Sequence, residues 1–154
     1  MRFLGIDYGK KRIGLALSDE NGRLAFPKEI VQNDLDAFGR IREIVKEEDV
    51  GEIVIGESLN SIGDPNKVME EIKNFAKKIE TEFCLPVRLQ KEFFTSVEAR
   101  RYQETGIKAG VKVVARNTRR TITKNSSKAD AKAAALILQR YLDRINNKKT
   151  QTYE

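Results

Sequence analysis

The stretch from Arg2 to Asp19, RFLGIDYGKKRIGLALSD, constrains this chain more than any other. Arg2–Ile6 and Arg12–Ser18 are each apolar runs of strand length; the few residues between them hold one acid, Gly9 and two cations, and Arg12 adds a third at the start of the second run. Two strands joined by so short a connection must pair antiparallel. Asp7 is then expected in the turn at the strand tip, with Gly9 permitting the tight backbone path. Lys10, Lys11 and Arg12 would surround an anion brought to that edge. A second turn signal, Asn21-Gly22, predicts a third antiparallel strand over Leu24 to Val31, and Pro27, which lacks a ladder donor, places that strand at a sheet edge.

Beyond the hairpins the pattern changes period. Asn33 or Asp34 can cap a helix carrying Leu35, Phe38, Ile41 and Val45 on its apolar face and ending near Asp49. Val50–Gly56, VGEIVIG, is a β-branched run after a helix, which predicts a buried parallel strand, with Glu57 at its C-terminal end. A loop over Ser58–Gly63 leads to Asp64-Pro65, a helix start, and to Val68, Ile72, Phe75 and Ile79 on one face. A fifth strand is expected over Val87 to Gln90, followed at once by Glu92. Thr95-Ser96-Val97-Glu98 has the spacing of a capping box and predicts a helix to about Glu104. Asp130 to Ile145 reads as a last amphipathic helix with Ala134, Ile137, Leu138, Tyr141 and Leu142 inward. This divides the chain into one domain over residues 1–145 and a flexible tail over 146–154.

Composition narrows the chemistry. The 154 residues are enough for one ordinary core, and 40% hydrophobic with 34% charged residues is a globular balance. No apolar run approaches the roughly 20 residues of a membrane helix, and no secretory pattern opens the chain, so a cytoplasmic protein without membrane contact is expected. The absence of histidine excludes imidazole bases and histidine-ligated zinc. Cys84, the sole cysteine, is expected to be a small buried hydrophobe. The formal charge of +6 favours a polyanionic partner. Between Thr105 and Lys128 stand seven cations, among them Arg116, Arg119 and Arg120, without one acid, which predicts a basic arm for phosphate contact.

The element order is three antiparallel strands, then helix, strand, helix, strand, helices. With a right-handed crossover placing the fourth strand beside the first, this is the ribonuclease H-like plan: an α/β fold with a mixed five-stranded sheet and helices on both faces. It brings Asp7, Glu57 and Glu92 to one sheet edge, where Asp130, from the first turn of the last helix, could join them. Oxygen ligands alone suit Mg²⁺ or Mn²⁺, and two such ions roughly 3.5–4 Å apart can activate water against a phosphodiester. Each acid also has a plainer explanation: turn chemistry for Asp7 and helix-dipole preference for Asp130. Glu57 and Glu92 have no such local role.

The motifs Gly5-Ile6-Asp7-Tyr8-Gly9-Lys10-Lys11-Arg12-Ile13-Gly14, Thr95-Ser96-Val97-Glu98-Ala99, and Asp130 with Ala133 to Leu142 resemble the YqgF/RuvX family from Met1 to about Asp143. That family comprises Holliday-junction-resolvase-like nucleases, also described as pre-16S ribosomal RNA nucleases. The resemblance implies a ribonuclease H-like fold, metal-dependent nuclease chemistry, and Asp7, Glu92 and Asp130 as the acidic site. Two departures stand out. Lys91-Glu92-Phe93 replaces the family's usual Asp-Glu-Arg, and Gly56-Glu57-Ser58 replaces its Gly-Leu-Pro, so Glu57 is a candidate to share or take over the role of Glu92.

The expectation is therefore a Mg²⁺- or Mn²⁺-dependent endonuclease with Asp7, Glu57, Glu92 and Asp130 as catalytic and metal-holding candidates. Lys10, Lys11, Arg12, Arg116, Arg119 and Arg120 are the candidate nucleic-acid contacts. Structured RNA, in 5′-end processing of pre-16S ribosomal RNA, is the expected substrate. The alternatives are a four-way-junction resolvase, which would need a homodimer rather than a monomer, and an inactive nucleic-acid-binding module of the same fold.

Overall fold

The structure is a computed structural model, and it describes residues 1–58, 67–92 and 126–151. Five strands form one sheet: β1 (Arg2–Tyr8), β2 (Arg12–Ser18), β3 (Ala25–Gln32), β4 (Val50–Ser58) and β5 (Val87–Glu92). Their order is β3-β2-β1-β4-β5, with β1 to β3 antiparallel and β4 and β5 parallel to β1. Helices α1 (Ala37–Glu47) and α2 (Lys67–Phe83) cover one face and α3 (Ser126–Gln151) the other. The ribonuclease H-like α/β plan read from the element order is the one observed.

Strand alternation divides the core in two. Leu4, Ile6, Ile13, Leu15, Ile53 and Ile55 pack with Ile41, Ile44, Ile72 and Ile79 of α1 and α2. Phe3, Ala16 and Val54 pack with Ala134, Ile137, Leu138, Tyr141 and Leu142 of α3. The small residues on this second face decide how close α3 comes. A Cβ on Gly5 would sit 2.7 Å from Leu138 Cβ, and one on Gly14 would sit 2.1 Å from the Asp130 carbonyl oxygen. The helix backbone therefore lies almost directly on β1 and β2. Gln139 secures it to the hairpin: its Oε1 accepts from the Ala25 amide at 2.8 Å, and its Nε2 donates to the Arg23 carbonyl at 2.8 Å.

Several local expectations are corrected. Asp7 lies inside β1, because the ladder with β2 runs on through the pairs Asp7–Gly14 and Tyr8–Ile13. Leu35 is 99% exposed, since α1 begins only at Ala37 and Asp34 instead closes a turn by accepting the Asp36 amide at 3.0 Å. Asn33 caps nothing and points back to the first hairpin. Cys84 is exposed, with φ of 54°, because it reverses the chain just after α2. The last helix starts at Ser126 and runs to Gln151, so Asp130 stands in its second turn and dipole preference no longer accounts for it. Other expectations hold: Pro27 lies on an edge strand, and Asp19 serves its turn by accepting from the Arg23 and Leu24 amides. The expected helix start at Asp64, the Thr95 helix, most of the basic segment and residues 152–154 lie outside the described residues. No helix among the described residues is long and apolar enough to cross a membrane.

The two kinds of glycine should separate cleanly in urea denaturation. Gly14→Ala forces a methyl against helix backbone and is expected to cost about 1–3 kcal/mol, the range for overpacking. Gly39→Ala, in α1 with no atom within 4 Å of the added carbon, is expected to stabilise by roughly 0.5–1 kcal/mol.

Candidate active site

The close seat of α3 builds the site. Asp7 continues the β1 face that carries Phe3 and Gly5, the face toward α3. Its partner across the ladder is Gly14, the residue on which the backbone of Asp130 rests. Asp130 is thereby brought beside Asp7, and the two carboxylates feel one another. Burial, and after it the negative charge of Asp130, raise the Asp7 carboxyl from its ordinary 3.8 to about 6. Arg12, two residues before Gly14, places Nε 3.2 Å from Asp130 Oδ2. Of the cations read as phosphate contacts, Arg12 is thus turned onto the acidic pair.

The hairpin turn beside these acids is held from outside. Asn33 donates from Nδ2 to the Gly9 carbonyl at 2.8 Å, and its amide donates to the Lys11 carbonyl at 3.0 Å. A Cβ on Gly9 would fall 2.5 Å from the Arg12 carbonyl oxygen, so glycine is required for the turn to close. Lys10 and Lys11 both project to solvent, and Lys10 Nζ lies 3.2 Å from Glu71 of α2 in an exposed pair.

The two glutamates separate by strand parity. β1, β4 and β5 run parallel, so Asp7, Glu57 and Glu92 do stand at one sheet edge. Glu57, however, follows Ile53 and Ile55 in alternation, and those face α1 and α2. Among the described residues no three acid or cysteine side chains come together as a metal-holding group, so Glu57 does not join Asp7 and Asp130. Glu92 is the last residue of β5, level with Ser58. Its strand position is in step with Arg88, which pairs with Glu52, the acceptor of the Tyr141 hydroxyl from α3. Glu92 therefore occupies a position of the Asp7 face, while its side chain lies outside the description, as do Arg116, Arg119 and Arg120. One residue passed over in the sequence is Gln90, the polar member of an inward row on β5, buried at 9% exposure.

A mixed sheet of this order, with an acidic pair at the end of its central strand under a close-packed helix, has the ribonuclease H-like fold. Similar solved structures agree. Thermus thermophilus RuvC in complex with a Holliday junction has a TM-score of 0.53 at 19% identity, covering 94% of this chain and 96% of that one. Fowlpox virus resolvase with its Holliday junction DNA has a TM-score of 0.51 at 13% identity, covering 94% and 99%. At such identities the likeness is one of fold.

The sequence matches the RuvX family, described as Holliday junction resolvase, over residues 1–144, and the chain belongs to that family. Relatives include a "Putative pre-16S rRNA nuclease" of Koribacter versatilis, 34% identical over 93% of this chain and 87% of the relative. The protein of the same name from Ruminiclostridium cellulolyticum is 38% identical over 97% and 100%. The chain is accordingly a nuclease, a hydrolase of phosphodiester bonds.

The raised Asp7 carboxyl makes a pH prediction. Between pH about 4 and about 6 the folded protein holds a proton that the unfolded chain has released, so this group's contribution to stability falls as pH rises through that window. In the presence of chelator, Asp7→Asn is expected to be more stable than wild type at pH 7.5, by on the order of 2–3 kcal/mol, with the difference vanishing near pH 4. Urea midpoints at the two pH values read this directly, and equal gains at both would show that Asp7 carries no such strain.

Proposed function

We propose that the chain is a divalent-metal-dependent endonuclease acting on structured nucleic acid, with precursor 16S ribosomal RNA, cut in its 5′ leader, as the substrate. The observation that carries this reading is the Asp7–Asp130 pair: two acids brought beside one another at the end of the central strand by the seat of Asp130 on Gly14, with the Asp7 carboxyl raised to about 6. Such a pair is unfavourable for folding and favourable for a hard dication, and an all-oxygen donor set in a chain without histidine fits Mg²⁺ or Mn²⁺. The names of its relatives support the ribosomal substrate.

In this reading Asp7 and Asp130 would hold the ion and Glu92 would complete the set. Glu57 stands on the other face of the sheet and is not part of it. The chemistry such an ion would supply is activation of water and charge neutralisation at phosphorus. The protein's own part is positional. Below pH about 6 Asp7 would have to release its proton to hold the ion, so affinity for the ion would rise with pH up to about 6. Arg12 orients Asp130, and exposed Lys10 and Lys11 on the clamped turn take backbone phosphates. Arg116, Arg119 and Arg120 extend that contact along the strand. Hydrolysis adds water across one P–O bond, leaving a phosphate on one fragment and a hydroxyl on the other.

Cleavage of precursor ribosomal RNA and of a synthetic four-way junction in Mn²⁺ tests the reading. Asp7→Asn is expected to lose at least about 100-fold in rate, beyond what a mere supporting partner of a metal ligand costs. Glu92→Gln should behave like Asp7→Asn, and Glu57→Gln like wild type. Preference for the junction would reassign the substrate to DNA. No cleavage of either, with salt-sensitive binding retained, would make the chain a binding module.

A further inference from the structure

Gln90 is the one residue among those described with a buried side-chain polar atom left without a partner, its Oε1. An unpaired buried amide oxygen is destabilising and calls for a reason. The orientation of the amide is not arbitrary. Its Nε2 donates to the Lys91 carbonyl at 3.2 Å, and exchanging the two ends would set oxygen against oxygen. The unpaired group is thus an acceptor in need of a donor or a cation.

Its place in the sheet supplies the reason. Leu89 packs toward α1 and α2, and Arg88 reaches Glu52 beneath α3, so Gln90 belongs with Arg88 to the α3 face. Its partner on β4 is Gly56. Continuing the β1–β4 register one step past Ile6–Ile55 sets Asp7 level with that same Gly56. Asp7, Gly56 and Gln90 therefore form one row across three parallel strands on a single face. The outer two backbones lie roughly 10 Å apart, twice the strand spacing, and the glycine between them carries no side chain. A carboxylate and a longer amide reaching inward from the two ends can meet over that gap.

We infer that Gln90 is a further member of the acidic site, its amide oxygen serving as a neutral donor to the divalent cation that Asp7 and Asp130 hold. This rests on the metal-dependent reading above and adds a residue that neither the sequence pattern nor the family resemblance singled out. A neutral oxygen is the economical addition at this point. It contributes a ligand atom without a further negative charge beside a pair that already repels itself.

Mn²⁺ binding to the full chain, followed by the loss of the free-ion electron paramagnetic resonance signal, tests this without reference to any substrate. Asp7→Asn should abolish tight binding. If it binds as wild type does, the metal-site reading fails and the role of Gln90 with it. Given a site that depends on Asp7, Gln90→Leu is expected to bind Mn²⁺ about 10-fold more weakly, the scale for loss of a supporting group, while melting no lower than wild type because the orphaned oxygen is gone. Gln90→Glu, which keeps the reach and adds charge, is expected to bind at least about 3-fold more tightly and serves also should the leucine variant not fold. Affinities within about 2-fold of wild type in the folded variants would overturn the assignment.

Discussion

Everything in this molecule that bears on function depends on how closely α3 lies on β1 and β2. The contact is backbone against backbone, made possible by Gly5 and Gly14, where any side chain would collide with Leu138, Ala134 or Asp130. Interiors pack at crystal-like density, so the few ångströms removed by two missing Cβ atoms fix the helix position tightly. Gly14 is also the ladder partner of Asp7. One residue thus seats the helix and brings its acid to the strand's acid.

That proximity has an electrostatic cost which the fold does not remove. Arg12 lies 3.2 Å from Asp130, yet Asp7 remains partly desolvated and beside a like charge, with its carboxyl at about 6. The compensation comes from packing elsewhere. Leu4, Ile6, Leu15, Ile53 and Ile55 are wholly buried on the opposite face of the same strands. A strained acidic pair on the central strand is the arrangement that the proposed cation site calls for. The hairpin turn follows the same logic, with Asn33 holding Gly9 and Lys11 in place so that the lysines start from a fixed base.

Much of the fold was legible because its signals are local. The apolar run in Arg12–Ser18, the β-branched run at Val50 and the apolar spacing of α2 each specify an element without reference to the rest of the chain. The misreadings arose where a neighbour overruled the local signal. Asp7 reads as a turn residue until β2 extends the ladder past it. Leu35 reads as core because its spacing fits a helix that in fact starts two residues later. Asp130 reads as a helix-start acid until four further helical residues precede it.

The sequence by itself determined the class of the protein: element order, oxygen-only chemistry from the absence of histidine, a cationic turn, and the acids to choose among. Those follow from composition and from periods of two and 3.6, which are properties of a single strand or helix. Only the tertiary structure decided which acids share a face. Glu57 and Glu92 are both strand-end glutamates in sequence, and the β4–β5 register, which pairs Glu57 with Lys91 and Ser58 with Glu92, gives them strand positions of opposite parity. The same parity aligned Asp7, Gly56 and Gln90 in one row, since register is set by pairing between strands distant in the chain and is written in no one of them.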